Sequence, residues 1–296
     1  MSSTVVDVDG RQLKLSNLEK VLYPGSGFTK GQVIDYYTRI APVLLPHLRE
    51  RPLTLKRYPE GVDAEYFYEK QCPKHRPAWV ATAPVWSEHN QRTIDFCLVN
   101  DRATLVWVAN LASLELHTAL HRAPETSRPD MMVFDLDPGE PAALPECAEV
   151  ALWLREALDG LGLVSVVKTS GNKGLQLYVP LNTPVTYDET KGFSRALAQV
   201  LERAHPKQVT SNMAKELRRG KVFIDWSQND EHKTTVSVYS LRARPRPTVS
   251  APLHWKEVEA GVPPVLDAAC VLERVAAHGD LFAPLLETEQ RLPLSA

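Results

Sequence analysis

Residues 133–139 read VFDLDPG, and this stretch decides the fold. With Met131 and Met132 before it, the run is a strongly apolar strand that ends in two carboxylates and breaks at Pro138–Gly139. Side chains alternate along a strand, so Asp135 and Asp137 project together while Phe134 and Leu136 point the other way. Neighbouring carboxylates repel each other unless something neutralises them, and a divalent cation with oxygen ligands does so naturally. A bare Asp-x-Asp also occurs as a solvated strand end or a turn cap, so the pair needs support from the rest of the chain.

That support comes first from VFIDWSQN (222–229), where Asp225 interrupts an apolar run. Buried strands rarely carry an acid without a partner. Pairing with Lys233 or an arginine is the plain explanation. If the strand lies beside the first, the site holds three carboxylates, the ligand set for two metal ions that activate a 3′-hydroxyl and hold a triphosphate for in-line attack. The third element is KTSGNKGLQLYVPL (168–181). Its strand–turn–strand pattern would present backbone N–H groups, the Ser170 hydroxyl and the Lys173 ammonium to an anion. The spacing is not that of a Walker loop. Asn172 and Gly174 would equally suit an ordinary hairpin turn.

Further out, apolar spacing at Val33, Ile34, Tyr37 and Ile40 predicts a helix within residues 14–50, with the polar residues of LSNLEK ahead of it as caps. Residues 51–58 alternate as a strand, and an irregular aromatic stretch spans 61–84. TIDFCLVN and ATLVWVANL suggest a strand pair, and LASLELHTALHR a helix. Residues 145–160, 187–204 and 210–219 read as helices, KVFIDWS and TTVSVYSLRAR as strands, and Leu266–His278 as an amphipathic helix that packs on the core. Strands and helices alternate irregularly, which points to an α+β fold rather than a doubly wound sheet.

The 296 residues are 44% hydrophobic and 24% charged, so a folded chain with an ample core is expected. No apolar run approaches the roughly 18 residues of a membrane span, and the N-terminus lacks signal-peptide features, so a cytoplasmic location is expected. Four scattered cysteines without a Cys-x-x-Cys pair imply reduced thiols. The net charge of -2 does not advertise a polyanion partner. Between Pro206 and Arg246, however, nine basic residues face four acidic ones, and a basic segment around a metal-binding acid suits a nucleic acid.

In order and spacing, FDLDPG, TSGNKGL, VFIDWSQN and YSLRARP resemble the polymerase domain of the bacterial DNA ligase D end-joining enzymes, a branch of the archaeo-eukaryotic primase superfamily. The likeness extends upstream through LEKVLYP, TKGQVIDYY, RPLTLKRYPEGV, YFYEKQ and LELH, so it covers about residues 10–260. It implies a primase-type α+β core of mixed or antiparallel sheets flanked by helices. It also implies one catalytic unit over 1–296: an N-terminal lobe to about 120, a metal- and nucleotide-binding core over 121–260, and a C-terminal helix and tail over 261–296. With no ligase nucleotidyl-transfer domain in the sequence, a stand-alone relative is expected.

By the resemblance, Asp135, Asp137 and Asp225 would hold two Mn²⁺ or Mg²⁺ ions. Lys56, His117, Ser170, Lys173, Gln176, Gln228, Arg242 and Arg244 would surround the nucleoside triphosphate. Phe67 and Tyr68 would stack on a base, and Lys20 and Lys30 would grip the 5′-phosphate of a gap or break. One position departs from the pattern: the family's second motif ends in His, and Gln176 stands there. An amide can donate a hydrogen bond but cannot become cationic.

No zinc is expected, either at Cys72, His75, His89 and Cys97 or at the His117–His121 pair. The implied function is a template-dependent DNA/RNA nucleotidyltransferase for gap filling or end processing in bacterial DNA repair. It would accept or prefer ribonucleotides, have no membrane partner, associate with the nucleoid, and work with Ku or a separate ATP-dependent DNA ligase. The alternative is a catalytically weak or inactive DNA gap- or end-binding module. An Asp-x-Asp glycosyltransferase would leave Asp225 and the SGNKG turn without a role, and a DxDxT phosphatase would need Thr where Gly139 stands.

Overall fold

The computed structural model describes residues 3–88, 90–263 and 265–293. The chain divides into two compact units. The first comprises residues up to Pro124 with Thr234–Ser250 and Leu266–Asp280; the second comprises Glu125–Lys233, Ala251–Val265 and the residues from Leu281.

The first unit begins with two hairpins, β1 (Ser3–Val8) with β2 (Arg11–Ser16) and β3 (Val21–Tyr23) with β4 (Phe28–Thr29), and the long helix α1 (Lys30–Leu48). Then come β5 (Leu53–Arg57), β6 (Phe67–Glu69), β7 (Thr82–Ser87), β8 (Arg92–Cys97), α2 (Arg102–Asn110) and β9 (Ser113–Thr118). The second unit contributes β10 (Met131–Pro138), α3 (Leu144–Gly160), β11 (Val166–Thr169), β12 (Leu175–Pro180), α4 (Tyr187–Ala204), β13 (Val209–Thr210) and β14 (Val222–Asp225). Thereafter β15 (Thr235–Val236) returns to the first unit, β16 (Pro252–Leu253) and α5 (Trp255–Glu259) belong to the second, α6 (Ala268–His278) to the first and α7 (Pro284–Glu287) to the second.

Each unit is built on a six-stranded sheet. In the first the order is β15-β9-β5-β8-β7, with β6 also paired to β5. In the second it is β13-β14-β10-β12-β11-β16, antiparallel apart from the β13–β14 pair. This is the α+β architecture the sequence predicts. Among the described residues no helix is long and apolar enough to cross a membrane.

Several local expectations are corrected. ATLVWVANL is helix α2, not a strand: the Asp101 carboxylate caps it by accepting from Thr104 N at 2.8 Å, and every residue from Ala103 to Ala109 is buried, so no amphipathic period is visible. LASLELHTALHR forms strand β9, because its core places Leu114 and Leu116 under the helices and Glu115 and His117 on the opposite face. The cap of α1 is Thr29, in a reciprocal capping box with Gln32, rather than the polar residues of LSNLEK. Within 210–219 only Lys215–Leu217 forms a helical turn, and TTVSVYSLRAR pairs as a strand only at Thr235–Val236. Cys72 and Cys97 form a disulfide, against the expectation of reduced thiols. The Cys72 N–H donates to Asp95 O at 2.7 Å and so lays a remote loop along β8, a proximity that no local spacing encodes.

In the second unit the central strand β10 is held along its β14 edge by Asn229, which is fully buried. Its Oδ1 accepts from Val133 N at 2.9 Å and its Nδ2 donates to Val133 O at 2.7 Å and to Trp226 O at 3.0 Å. One amide thus joins β10 to the short turn Trp226–Gln228 that follows β14. Asn229→Ala would strand several buried backbone groups at once, each costing about 1–3 kcal/mol. Urea denaturation should show a lower midpoint at unchanged slope, corresponding to a loss of about 3 kcal/mol.

Candidate active site

Across the second unit's sheet, four polar residues stand in one row. Lys168 on β11 is in register with Gln176 on β12, Gln176 with Asp135 on β10, and Asp135 with Asp225 on β14. Residues directly opposite on neighbouring strands share a face, so Asp135 and Asp225 point the same way, and Asp137, two residues on, joins them. The sheet therefore brings the three predicted carboxylates together on one face.

The row is electrically unbalanced. Burial, then the neighbouring Asp137 and Asp225 charges, push the Asp135 carboxyl up to about 7, despite a hydrogen bond from Gln176 and the charge of Lys168. Burial and Asp225 also raise Asp137, with Arg218 opposing. Asp225 is held more tightly: its Oδ1 accepts from Ser227 N at 2.9 Å and its Oδ2 from Gln228 Nε2 at 2.8 Å. Lys233 reaches it only through Ser227, donating to Oγ at 2.7 Å while that hydroxyl donates to Asp225. Gln228 thus supports a carboxylate, a contact its expected role at the nucleotide did not foresee.

Three carboxylates repelling one another form a hard, all-oxygen donor set that fits Mg²⁺ or Mn²⁺. Among the described residues no group of three or more His, Cys, Asp or Glu side chains is placed to hold a metal ion.

Gln176 lies beside Asp135 and is nearly fully buried. Its Oε1 accepts a hydrogen bond from the Lys168 ammonium, itself completely buried, and its amide donates to Asp135. Lys168 is missing from the sequence-based site because it reads as one more strand residue before the SGNKG turn. In that turn Ser170 Oγ accepts from Gly174 N at 3.1 Å and Asn172 N at 3.3 Å, while Lys173 Nζ reaches Glu140 at 3.0 Å on the surface. The turn can sit against β10 only because Gly174 lacks a side chain; a Cβ there would lie 2.0 Å from Leu136 O.

The first unit holds a separate cluster of cations. Lys56 (β5) and His117 (β9) lie on adjacent paired strands, and Arg242 approaches from the segment after β15. They converge on Glu115, which is 2% exposed. His117 Nε2 is 2.9 Å from Glu115 Oε2, and Lys56 Nζ and Arg242 Nε lie 3.8 and 3.6 Å from Oε1. Burial opposes the ionised carboxylate, but the His117 hydrogen bond and the Arg242, His117 and Lys56 charges bring Glu115 down to about 2. Burial in turn lowers His117, with Glu115 opposing. Arg244, two residues beyond Arg242, is exposed.

The predicted aromatic pair does not share a face. Tyr68 stands edge-on to His117, and Tyr58, Tyr66 and Tyr68 surround the Lys56 ammonium at 5.3, 4.2 and 5.4 Å. Phe67 points to the other side, against Arg57. Both Phe67 and Tyr68 are exposed, and both line a cleft of about 540 Å³ with Lys70, Lys74 and Arg92.

Lys20 and Lys30, ten residues apart, are brought together because Lys30 N donates to Lys20 O at 2.8 Å. Lys20 bonds Glu60 at 2.7 Å. Lys30 Nζ donates to Ser16 O at 2.8 Å, and burial followed by the Lys20 and Arg57 charges lowers it to about 8. In the four-residue zinc pattern, Cys72 and Cys97 are joined to each other, and His89 lies outside the described residues. His117 and His121 lie on and just past a strand, so they do not form a pair on one helix face.

Residues 29–282 match the model of the LigD primase-polymerase domain. The chain belongs to this family. It is 44% identical over 276 residues to the multifunctional non-homologous end joining protein LigD of Mycolicibacterium smegmatis, covering 93% of this chain and 36% of that protein. It is 33% identical over 287 residues to the bifunctional non-homologous end joining protein LigD of Bacillus subtilis, covering 96% of this chain and 46% of that protein. The chain thus spans less than half the length of these relatives. The polymerase domain of Mycobacterium tuberculosis ligase D, solved in complex with DNA, superposes with a TM-score of 0.89 at 42% identity, covering 94% of this chain and 99% of that one.

The carboxylate row has a pH signature. Asp135 is raised in the folded protein, so between about pH 4 and pH 7 the folded state keeps a proton that the unfolded chain has released. Stability from this group is therefore lost as pH rises through that window and is flat above it. In EDTA, Asp135→Asn should melt close to wild type at pH 4.5 and about 3 °C or more above it at pH 8.

Proposed function

We propose that this chain is a template-dependent nucleotidyltransferase that fills short gaps or extends broken DNA ends in end-joining repair, its two units acting as one catalytic unit. The observation that carries this reading is the placement of Asp135, Asp137 and Asp225 on one face of a sheet, in a chain of the LigD primase-polymerase family. Two divalent cations held there would lower the charge on the α-phosphate and activate the primer 3′-hydroxyl for in-line displacement of pyrophosphate.

The chain's own residues do the positioning. Ser170 still has a hydroxyl proton to donate, and Lys173 can leave its exposed contact with Glu140, so both are available to the triphosphate. Lys56, His117, Arg242 and Arg244 supply further positive charge. Gln176 holds Asp135 without carrying charge, and the buried cation of the row is Lys168 instead. Phe67 and Tyr68 offer exposed rings to a templating or incoming base, a contact that tolerates any sequence. Lys20 and Lys30 repel each other across a short distance, and a 5′-phosphate between them would relieve that repulsion. Ribonucleotide acceptance, support by Mn²⁺, nucleoid association, and work beside Ku or a separate ligase belong to the same reading.

The test is extension of a primer across a short gap, comparing rNTPs with dNTPs under Mn²⁺ and Mg²⁺. Asp135→Ala/Asp137→Ala should lower incorporation about 100-fold or more. Omitting the 5′-phosphate, or replacing Lys20 by Ala, should cost about tenfold in apparent affinity for the gap. Gap binding without incorporation under either metal would contradict the polymerase reading and leave a DNA-binding module in its place.

A further inference from the structure

Glu115 has no part in the reaction as described, yet its buried carboxylate is engaged at both oxygens. It is 2% exposed, and both oxygens are occupied. Oε2 meets His117 Nε2 at 2.9 Å, while Oε1 accepts from Ala243 N at 3.0 Å with Lys56 and Arg242 close by. The Ala243 bond ties the backbone between Arg242 and Arg244 to strand β9. Two further contacts hold the same segment to the same strand: Leu116 N donates to Ser240 Oγ at 2.9 Å, and Ser237 N donates to Leu116 O at 2.8 Å.

A buried acid beside the cations meant for a triphosphate is a paradox on charge alone, because it weakens their pull on an anion. It makes sense as geometry. The like-charged Lys56 and Arg242 would otherwise splay toward water, and long side chains lose considerable rotamer freedom when a ligand orders them. Glu115 gathers them before the nucleotide arrives. The rings of Tyr58, Tyr66 and Tyr68 also lie around the Lys56 ammonium, so aromatic faces hold it as well as the carboxylate. By accepting from His117 Nε2 at 2.9 Å, the carboxylate also fixes that nitrogen as the N–H donor and sets the orientation of the ring.

We infer that Glu115 is a positioning residue for triphosphate binding, holding Lys56, His117 and the Arg242–Arg244 segment in their binding geometry. The inference rests on the polymerase reading, in which those residues meet the nucleotide.

Charge and geometry predict opposite signs, which makes the test sharp. Glu115→Gln keeps the size, removes the negative charge and leaves one acceptor oxygen where His117 Nε2–H and Ala243 N–H need two. If Glu115 positions, a non-hydrolysable nucleoside triphosphate with Mn²⁺ should bind about 10- to 100-fold more weakly by calorimetry, with a rise in KM exceeding any fall in kcat. If Glu115 only dampens the positive field, the neutral variant would bind as well as wild type or tighter, and the inference would fall.

Thermal melting accompanies each titration to check that the buried variant is folded, and Glu115→Asp provides a second variant that keeps the charge but withdraws it by one methylene. It too should bind about tenfold more weakly or worse. Wild-type affinity in the Asp variant would overturn the inference. A cycle with His117→Asn supplies the readout that a purely structural role would not move. Glu115→Gln should cost at least threefold less in the His117→Asn background than in wild type, and additive losses would count against the role. Failure of the two readings is distinguishable. Wild-type protein that binds no triphosphate overturns both, whereas wild-type binding and incorporation with undiminished affinity in Glu115→Gln overturns this inference alone.

Discussion

Asp135 and Asp225 face each other across neighbouring strands, with Asp137 one step along the same face. Like charges so placed cannot all stay ionised in a partly buried setting without a counter-charge. Much of the second unit can be understood as holding that arrangement in place. Asn229 holds β10 along its β14 edge, Ser227 and Gln228 lock the Asp225 carboxylate, and Gln176 links Asp135 to the buried Lys168 ammonium. Gly174 and Gly139 permit close approach on either side of the strand end: a Cβ on Gly139 would stand 2.0 Å from Arg218 O. The second unit thus carries an unrelieved electrostatic demand at its centre, which the proposed divalent cations would answer.

The first unit solves the inverse problem. There the excess is positive, and Lys56, His117 and Arg242 are ordered around an internal acid. In the proposed reading, the carboxylates of one unit would hold divalent cations and the cations of the other would meet phosphates. A nucleoside triphosphate with its metal ions carries both kinds of partner.

Much of this was legible in the sequence, for identifiable reasons. A run such as VFDLDPG fixes both its strand and the common face of its acids, because alternation in a strand is strict. Asp225 stood out as an acid in an apolar run. What sequence missed depended on burial or on distant pairing. Helix α2 is buried all round and shows no period, so it read as a strand. Reading LELH as helical set His117 beside His121 and hid Glu115, which shares its strand face with His117. Lys168 gains meaning only when β11, β12 and β10 align, and the Cys72–Cys97 bridge only when a loop folds back on β8. Phe67 and Tyr68 read as one stacking pair, though adjacent residues in a strand face opposite ways.

The central claim is that the carboxylate row is a binding site for divalent cations, and it can be tested without any nucleotide. Free Mn²⁺ is followed by electron paramagnetic resonance as it is titrated into wild-type protein and into Asp225→Asn, at pH 8 and at pH 5.5. The account predicts binding by wild type at pH 8, at least tenfold weaker binding at pH 5.5 where Asp135 holds its proton, and a comparable loss in the variant. Mn²⁺ binding that is absent from wild type, or indifferent to both pH and Asp225, would contradict it.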